Sequence, residues 1–187
     1  MKTYWGLLIL LLIFSCKENP TPKPRGYYRI SLPKQGYKLF DPANCPFRFE
    51  VPVNASLLPD TNDLSADCWW FITFPKLNAT IYLTYKNING DLSTYAEDAR
   101  TLVYKHTQKA NGITEQVIHN KHGAGGVLYE IGGEAASSIQ FFMTDTSNNF
   151  LRGALYFNVA PNSDSLAPVV GYLKKDIEHL LGTLDWK

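Results

Sequence analysis

SIQFFMTDTSNNFLRGALYFNV, residues 138–159, holds two runs of bulky aromatic and aliphatic residues divided by the polar stretch Asp145-Thr146-Ser147-Asn148-Asn149. Strand-forming runs on either side of turn-forming residues predict an antiparallel hairpin, with strands over 138–144 and 150–159. Upstream, ITEQVI (113–118) and GVLYEI (126–131) read as two further strands of a meander. CWWFITF (68–74) and TIYLTY (80–85) form another pair, joined by a Pro75-Lys76-Leu77-Asn78 turn. FRFEV (47–51) alternates, with Phe47, Phe49 and Val51 on one face, and YYRISL (27–32) alternates in the same way.

Two segments switch to the helical period. Asp91 is placed to cap a helix on which Leu92, Tyr95, Ala96, Ala99, Leu102, Val103 and His106 share a face, with Asn111-Gly112 as the stop. At the carboxy terminus, Leu166, Val169, Val170, Leu173, Ile177, Leu180, Leu181 and Leu184 form one apolar stripe. Asp164 or Ser165 is the expected cap there, and Pro168 falls in the first turn. Lys174, Lys175, Asp176, Glu178 and His179 are expected on the opposite, solvated face. The predicted fold class is α+β, a mostly antiparallel sheet packed against two main helices. The order of strands, helix, meander and terminal helix looks like the PsbP/Mog1-type sandwich.

The amino terminus has a different character. Lys2 precedes a nine-residue apolar run, Gly6 to Phe14, too short for the about 20 residues of a spanning helix. It fits the apolar region of an export signal. Ile13-Phe14-Ser15-Cys16 follows the pattern of a bacterial lipobox, so residues 1–15 read as a lipoprotein signal peptide and Cys16 as the lipidated first mature residue. An ordinary signal peptide or an uncleaved anchor with an incidental cysteine is the competing reading. Pro20, Pro22 and Pro24 favour an extended tether over 16–26, leaving 27–187 as a single domain.

Three cysteines minus Cys16 leave Cys45 and Cys68. In an exported chain an even remainder is expected to pair, and two buried free thiols are the alternative. Lys and Arg number 18 against 17 Asp and Glu. Loss of Lys2 with the signal balances them, which gives no reason to expect nucleic-acid binding.

No catalytic or phosphate-binding motif is present. Gly123-Ala124-Gly125-Gly126 lies between strands and reads as a flexible hairpin loop. His119 and His122 in that loop lack evident further ligands, so no metal and no other cofactor is expected. Glu97 and Asp98 are adjacent on a helix and point apart, so with Arg100 and Lys105 they read as a solvated face rather than a catalytic dyad. Asp98 could still meet a partner, because Ala99 beside it lies on the apolar stripe. Asn54-Ala55-Ser56 and Asn78-Ala79-Thr80 match the N-glycosylation pattern by chance in a bacterial chain. Asp164-Ser165-Leu166 resembles an O-glycosylation acceptor, but a helix cap explains it.

TPKPRGYYRISLP, CPFRFEVP, CWWFITFPK, YAEDARTLVYKHTQKA, AASSIQFFMTDTSNNFLRGALYFNVAPNSDSLAPV and DIEHLLGTLDWK together resemble the gliding-motility lipoprotein GldD family across essentially the whole mature chain. The resemblance implies an envelope lipoprotein needed for gliding motility and tied to the type IX secretion apparatus; because its polar residues assemble into no known catalytic constellation, a non-enzymatic assembly or stabilising component is expected. It implies a membrane anchor through Cys16, a protein partner in that machinery, and no catalytic residues. Asp98, Arg100 and Lys105 on the first helix, with exposed aromatics such as Trp69, are the expected partner-binding residues. Lys17, where inner-membrane retention favours aspartate, tilts the expected location toward the outer membrane, facing the periplasm. The alternative is a small-ligand binding module or unrecognised enzyme with a pocket between sheet and helices.

Overall fold

The computed structural model describes residues 30–62 and 66–187. The expected signal peptide, Cys16, the expected proline-rich tether and the start of the predicted 27–32 strand lie outside them. The described strands are β1 (Tyr37–Phe40), β2 (Phe47–Pro52), β3 (Ser56–Pro59), β4 (Trp70–Phe74), β5 (Ala79–Asn87), β6 (Ala110–His119), β7 (Gly125–Gly133), β8 (Ser137–Thr144), β9 (Asn149–Phe157) and β10 (Asp185–Trp186). Helix α1 (Leu92–Tyr104) follows β5, and helix α2 (Ser163–Thr183) follows β9. Seven strands form one antiparallel sheet in the order β3-β4-β5-β9-β8-β7-β6, and β1, β2 and β10 form a small one.

Period-two alternation divides the large sheet into two buried faces. Ile72, Ile81, Leu128, Ile139, Phe141 and Leu155 point to one side, where they pack with the α2 stripe and with Phe47 and Phe49 of β2. Tyr129, Ile131, Phe142 and Phe150 point to the other, against Ala99 and Val103 of α1. The result is an α+β sandwich in which α2 lies between the large and the small sheet.

The β8–β9 hairpin is closed by one carboxylate. Asp145 Oδ1 accepts from the amides of Ser147, Asn148 and Asn149 at 3.0, 2.9 and 2.9 Å, and Oδ2 accepts from the Asn149 side chain at 2.7 Å. Burial opposes the charge, but these hydrogen bonds outweigh it and hold the carboxyl below its ordinary value. A depressed folded value adds stability above the unfolded pKa of about 4 and loses it as pH falls through the folded value. Asp145→Ala is therefore expected to cost about 1–2 kcal/mol at pH 7 after allowing for solvent screening. Urea unfolding at pH 7 and pH 3 should show the gap between variant and wild type narrowing in acid.

Several boundaries differ from the sequence expectation. Ile30 to Leu32 form no strand; Pro33 follows directly, and Ile30 and Leu32 remain 39% and 41% exposed. The strand expected from Cys68 begins at Trp70, because Cys68 has φ 68° in a turn. Helix α1 stops at Tyr104, a short 3-10 turn follows, and Asn111-Gly112 sits at a bulge inside β6 instead of ending the helix. The cap of α2 is Asn162, whose side chain accepts from Ser165 N at 3.1 Å, in place of Asp164 or Ser165. Pro168 consequently falls beyond the first turn. Asp176, expected in solvent, is 2% exposed because the small sheet covers that flank of α2.

Candidate functional site

Helix α1 is buried on one side and presents Glu97, Asp98, Arg100, Thr101 and Tyr104 on the other, with Lys105 exposed at the start of the turn that follows. Arg100 lies 3.6 Å from Glu115 of β6 and over the Tyr104 ring at 4.7 Å. Tyr104 donates to the same carboxylate at 2.8 Å, and that bond is the main cause holding its phenol above the ordinary value. Glu97, Arg100, Thr101, Tyr104 and Lys105 line a depression of about 400 Å³. Two of the four expected partner-binding residues, Arg100 and Lys105, thus meet at one place. Asp98 is exposed but does not line the depression. Tyr104 and Glu115 were not anticipated; the i, i+4 spacing of Arg100 and Tyr104 was the available signal.

Trp69 belongs elsewhere, beside the disulfide that joins Cys45 and Cys68 with Cα atoms 5.5 Å apart. Its indole N–H donates to Tyr85 O at 3.0 Å, and Lys86 Nζ sits 4.9 Å above its ring. Trp69 and Trp70 help line a second cavity of about 530 Å³. The bridge joins cysteines at a sequence separation of 23, a loop closure worth about 3 kcal/mol in the chain-entropy model.

The loop between β6 and β7, expected from its glycines to be a flexible hairpin connection, is bridged by one side chain. Asn120 Oδ1 accepts from His122 N and Ala124 N at 3.0 and 3.1 Å. Its Nδ2 donates to Leu181 O and Leu184 O at 2.9 and 2.8 Å, tying the loop to the end of α2. His122 lies 3.9 Å from Asp185, and among the described residues no cluster of three potential metal ligands forms.

The flank of α2 carries a second polar group of residues. Asp176 accepts from Tyr37 at 3.0 Å and Gln35 at 3.3 Å, while His179 stacks on Tyr37 and meets Glu50 at 2.6 Å. Burial raises the Asp176 carboxyl despite these donors, and burial together with the Asp176 bond pushes Tyr37 up to about 12. These contacts fasten the start of the described domain to α2.

A family model described as gliding motility lipoprotein GldD matches residues 17–186. The chain belongs to the GldD gliding-motility lipoprotein family. The match begins directly after Cys16 and runs almost to the last residue, so this GldD-family chain is a lipoprotein of gliding motility. Cys16 itself lies outside the described residues, and no helix among the described residues is long and apolar enough to cross a membrane. A search of curated proteins finds no match. The chain is similar in structure to cyanobacterial PsbP (CyanoP) from Synechocystis sp. PCC 6803, with TM-score 0.48 and 9% identity over 89% of this chain and 100% of that one.

Proposed function

We propose that the chain is a non-enzymatic component of the gliding machinery, lipid-anchored through Cys16, that assembles or stabilises a protein partner of the type IX secretion apparatus. The observation that carries this reading is the exposed face of α1 and the turn after it, where Arg100, Lys105, Glu97 and Tyr104 border one depression. Charges of both signs around an aromatic suit a protein contact. Lys17 supports placement on the outer membrane, with the domain in the periplasm and the proline tether as spacer.

Affinity capture of the tagged chain after in-cell crosslinking tests the reading. A motility or secretion component should be enriched over an unrelated lipoprotein, and Arg100→Glu with Lys105→Glu should reduce that enrichment by about tenfold or more. Equal recovery on both baits would overturn the proposal. Cys16→Ser should release the chain from the membrane fraction and abolish acyl labelling; retention of both would refute the anchor.

A further inference from the structure

The sheet face that carries α1 is only partly covered by it. Across β4, β5 and β9 the same face continues with Phe71, Tyr82 and Tyr156 in an edge-to-face ladder, with centroids 5.0 and 5.5 Å apart. Tyr82 is 41% exposed. Between this ladder and α1 stands Arg152 of β9, half-buried, flanked in register by Thr84 and Phe142.

Arg152 Nη2 donates to Gln140 Oε1 at 2.5 Å. Among the described residues it forms no ion pair with a carboxylate. A guanidinium has donors only, so the bond fixes the Gln140 amide with its oxygen toward Arg152. The amide nitrogen is thereby left over. Gln140 is 1% exposed, and its Nε2 has no hydrogen-bond partner. A cation whose one side-chain acceptor is a neutral amide oxygen, with no counter-charge, thus stands beside an orphaned buried donor.

We propose that Arg152 and Gln140 form a binding site for one carboxylate group carried on an apolar body. A carboxylate has two oxygens and no donors, so one oxygen can take the remaining Arg152 N–H groups and the other the Gln140 amide. The count of charges selects a monoanion. His106, in the turn after α1, is held below its ordinary value by burial and then by Arg152, so it is neutral near pH 7 and adds no second charge. The Phe71–Tyr82–Tyr156 ladder supplies an apolar wall. The site stands independently of any link to secretion.

Full-length chain in detergent, labelled for NMR, tests the site with three probes at matched ionic strength: benzoate, its neutral isostere benzamide, and inorganic phosphate. A fourth probe, N-acetylphenylalanine, stands for a peptide carboxy terminus, so its affinity relative to benzoate separates a protein-borne carboxylate from a free one. Benzoate or N-acetylphenylalanine should shift the Gln140 side-chain amide saturably, and Arg152→Met should weaken that binding about tenfold or more. Binding should also raise the His106 pKa in the unaltered chain by neutralising Arg152, a readout that does not depend on the variant folding. No saturable shift with either carboxylate, an equal response to benzamide or phosphate, or unchanged affinity in Arg152→Met would overturn the assignment.

Discussion

Asn120→Ala is expected to lower the unfolding free energy by about 3 kcal/mol, from four side-chain hydrogen bonds at about 1 kcal/mol each less partial rescue by water. Two of the bonds hold the loop amides of His122 and Ala124, and two hold the carbonyls of Leu181 and Leu184 at the end of α2. Last-turn carbonyls have no donor within their own helix, so the amide acts as a cap supplied from another element. Loss of Asn120 therefore loosens the β6–β7 loop and the terminal turn together. Asn120→Asp should do no better, because a carboxylate would face two carbonyl oxygens in place of its donors. Urea unfolding should show the midpoint falling at unchanged slope. A loss below about 1 kcal/mol for Asn120→Ala would mean that solvent replaces the clamp.

Legibility in the sequence followed element length. β5, β8 and β9 offer eight or nine positions each, enough for alternation and bulky composition to register. β1 and β3 have four residues and β10 has two. They are strands because β2 and β4 offer edges to pair with, which is a non-local fact. In the described part of the expected 27–32 strand the converse holds: Ile30 and Leu32 alternate but stay exposed and form no strand. The α2 stripe was plain, yet Asp176 was misplaced, since a second sheet on the far side of the helix leaves no mark on its own periodicity.

Site chemistry was less legible than fold for the same physical reason. Arg100 and Lys105 could be read as a charged helix face, but Glu115, which fixes Arg100 and Tyr104, arrives from β6 across the sheet. Alternation puts Arg152 on the face opposite Leu151 and Leu155. It does not say that the guanidinium ends beside an orphaned amide on the face that carries α1. Asn120 carries no compositional mark at all. Its role exists only because the end of α2 arrives 61 residues later in sequence. Cysteine parity, by contrast, needs no geometry, and Cys45 and Cys68 are joined as it suggested.

Gly126→Ala should be at least as damaging as loss of Asn120, at about 3 kcal/mol or more, because the conflict is with backbone. A Cβ on Gly126 would overlap the Phe142 carbonyl oxygen, with the carbonyl carbon at 2.8 Å and Met143 Cα at 2.9 Å. Gly126 is paired with Met143 in the β7–β8 ladder, so β7 must move away from its partner to admit a methyl group. Phe142 and Met143 face opposite cores, which means that the displacement disturbs the packing under both helices. Gly171→Ala provides the contrast. Gly171 lies exposed within α2 with nothing inside 4 Å of an added Cβ, so the change should stabilise by about 0.5–1 kcal/mol through helix propensity and a less flexible unfolded chain. Opposite signs for the two substitutions in one denaturation series would separate close backbone approach from a general intolerance of glycine replacement. If Gly126→Ala unfolds within about 1 kcal/mol of wild type, the tight β7–β8 approach is not required for the fold.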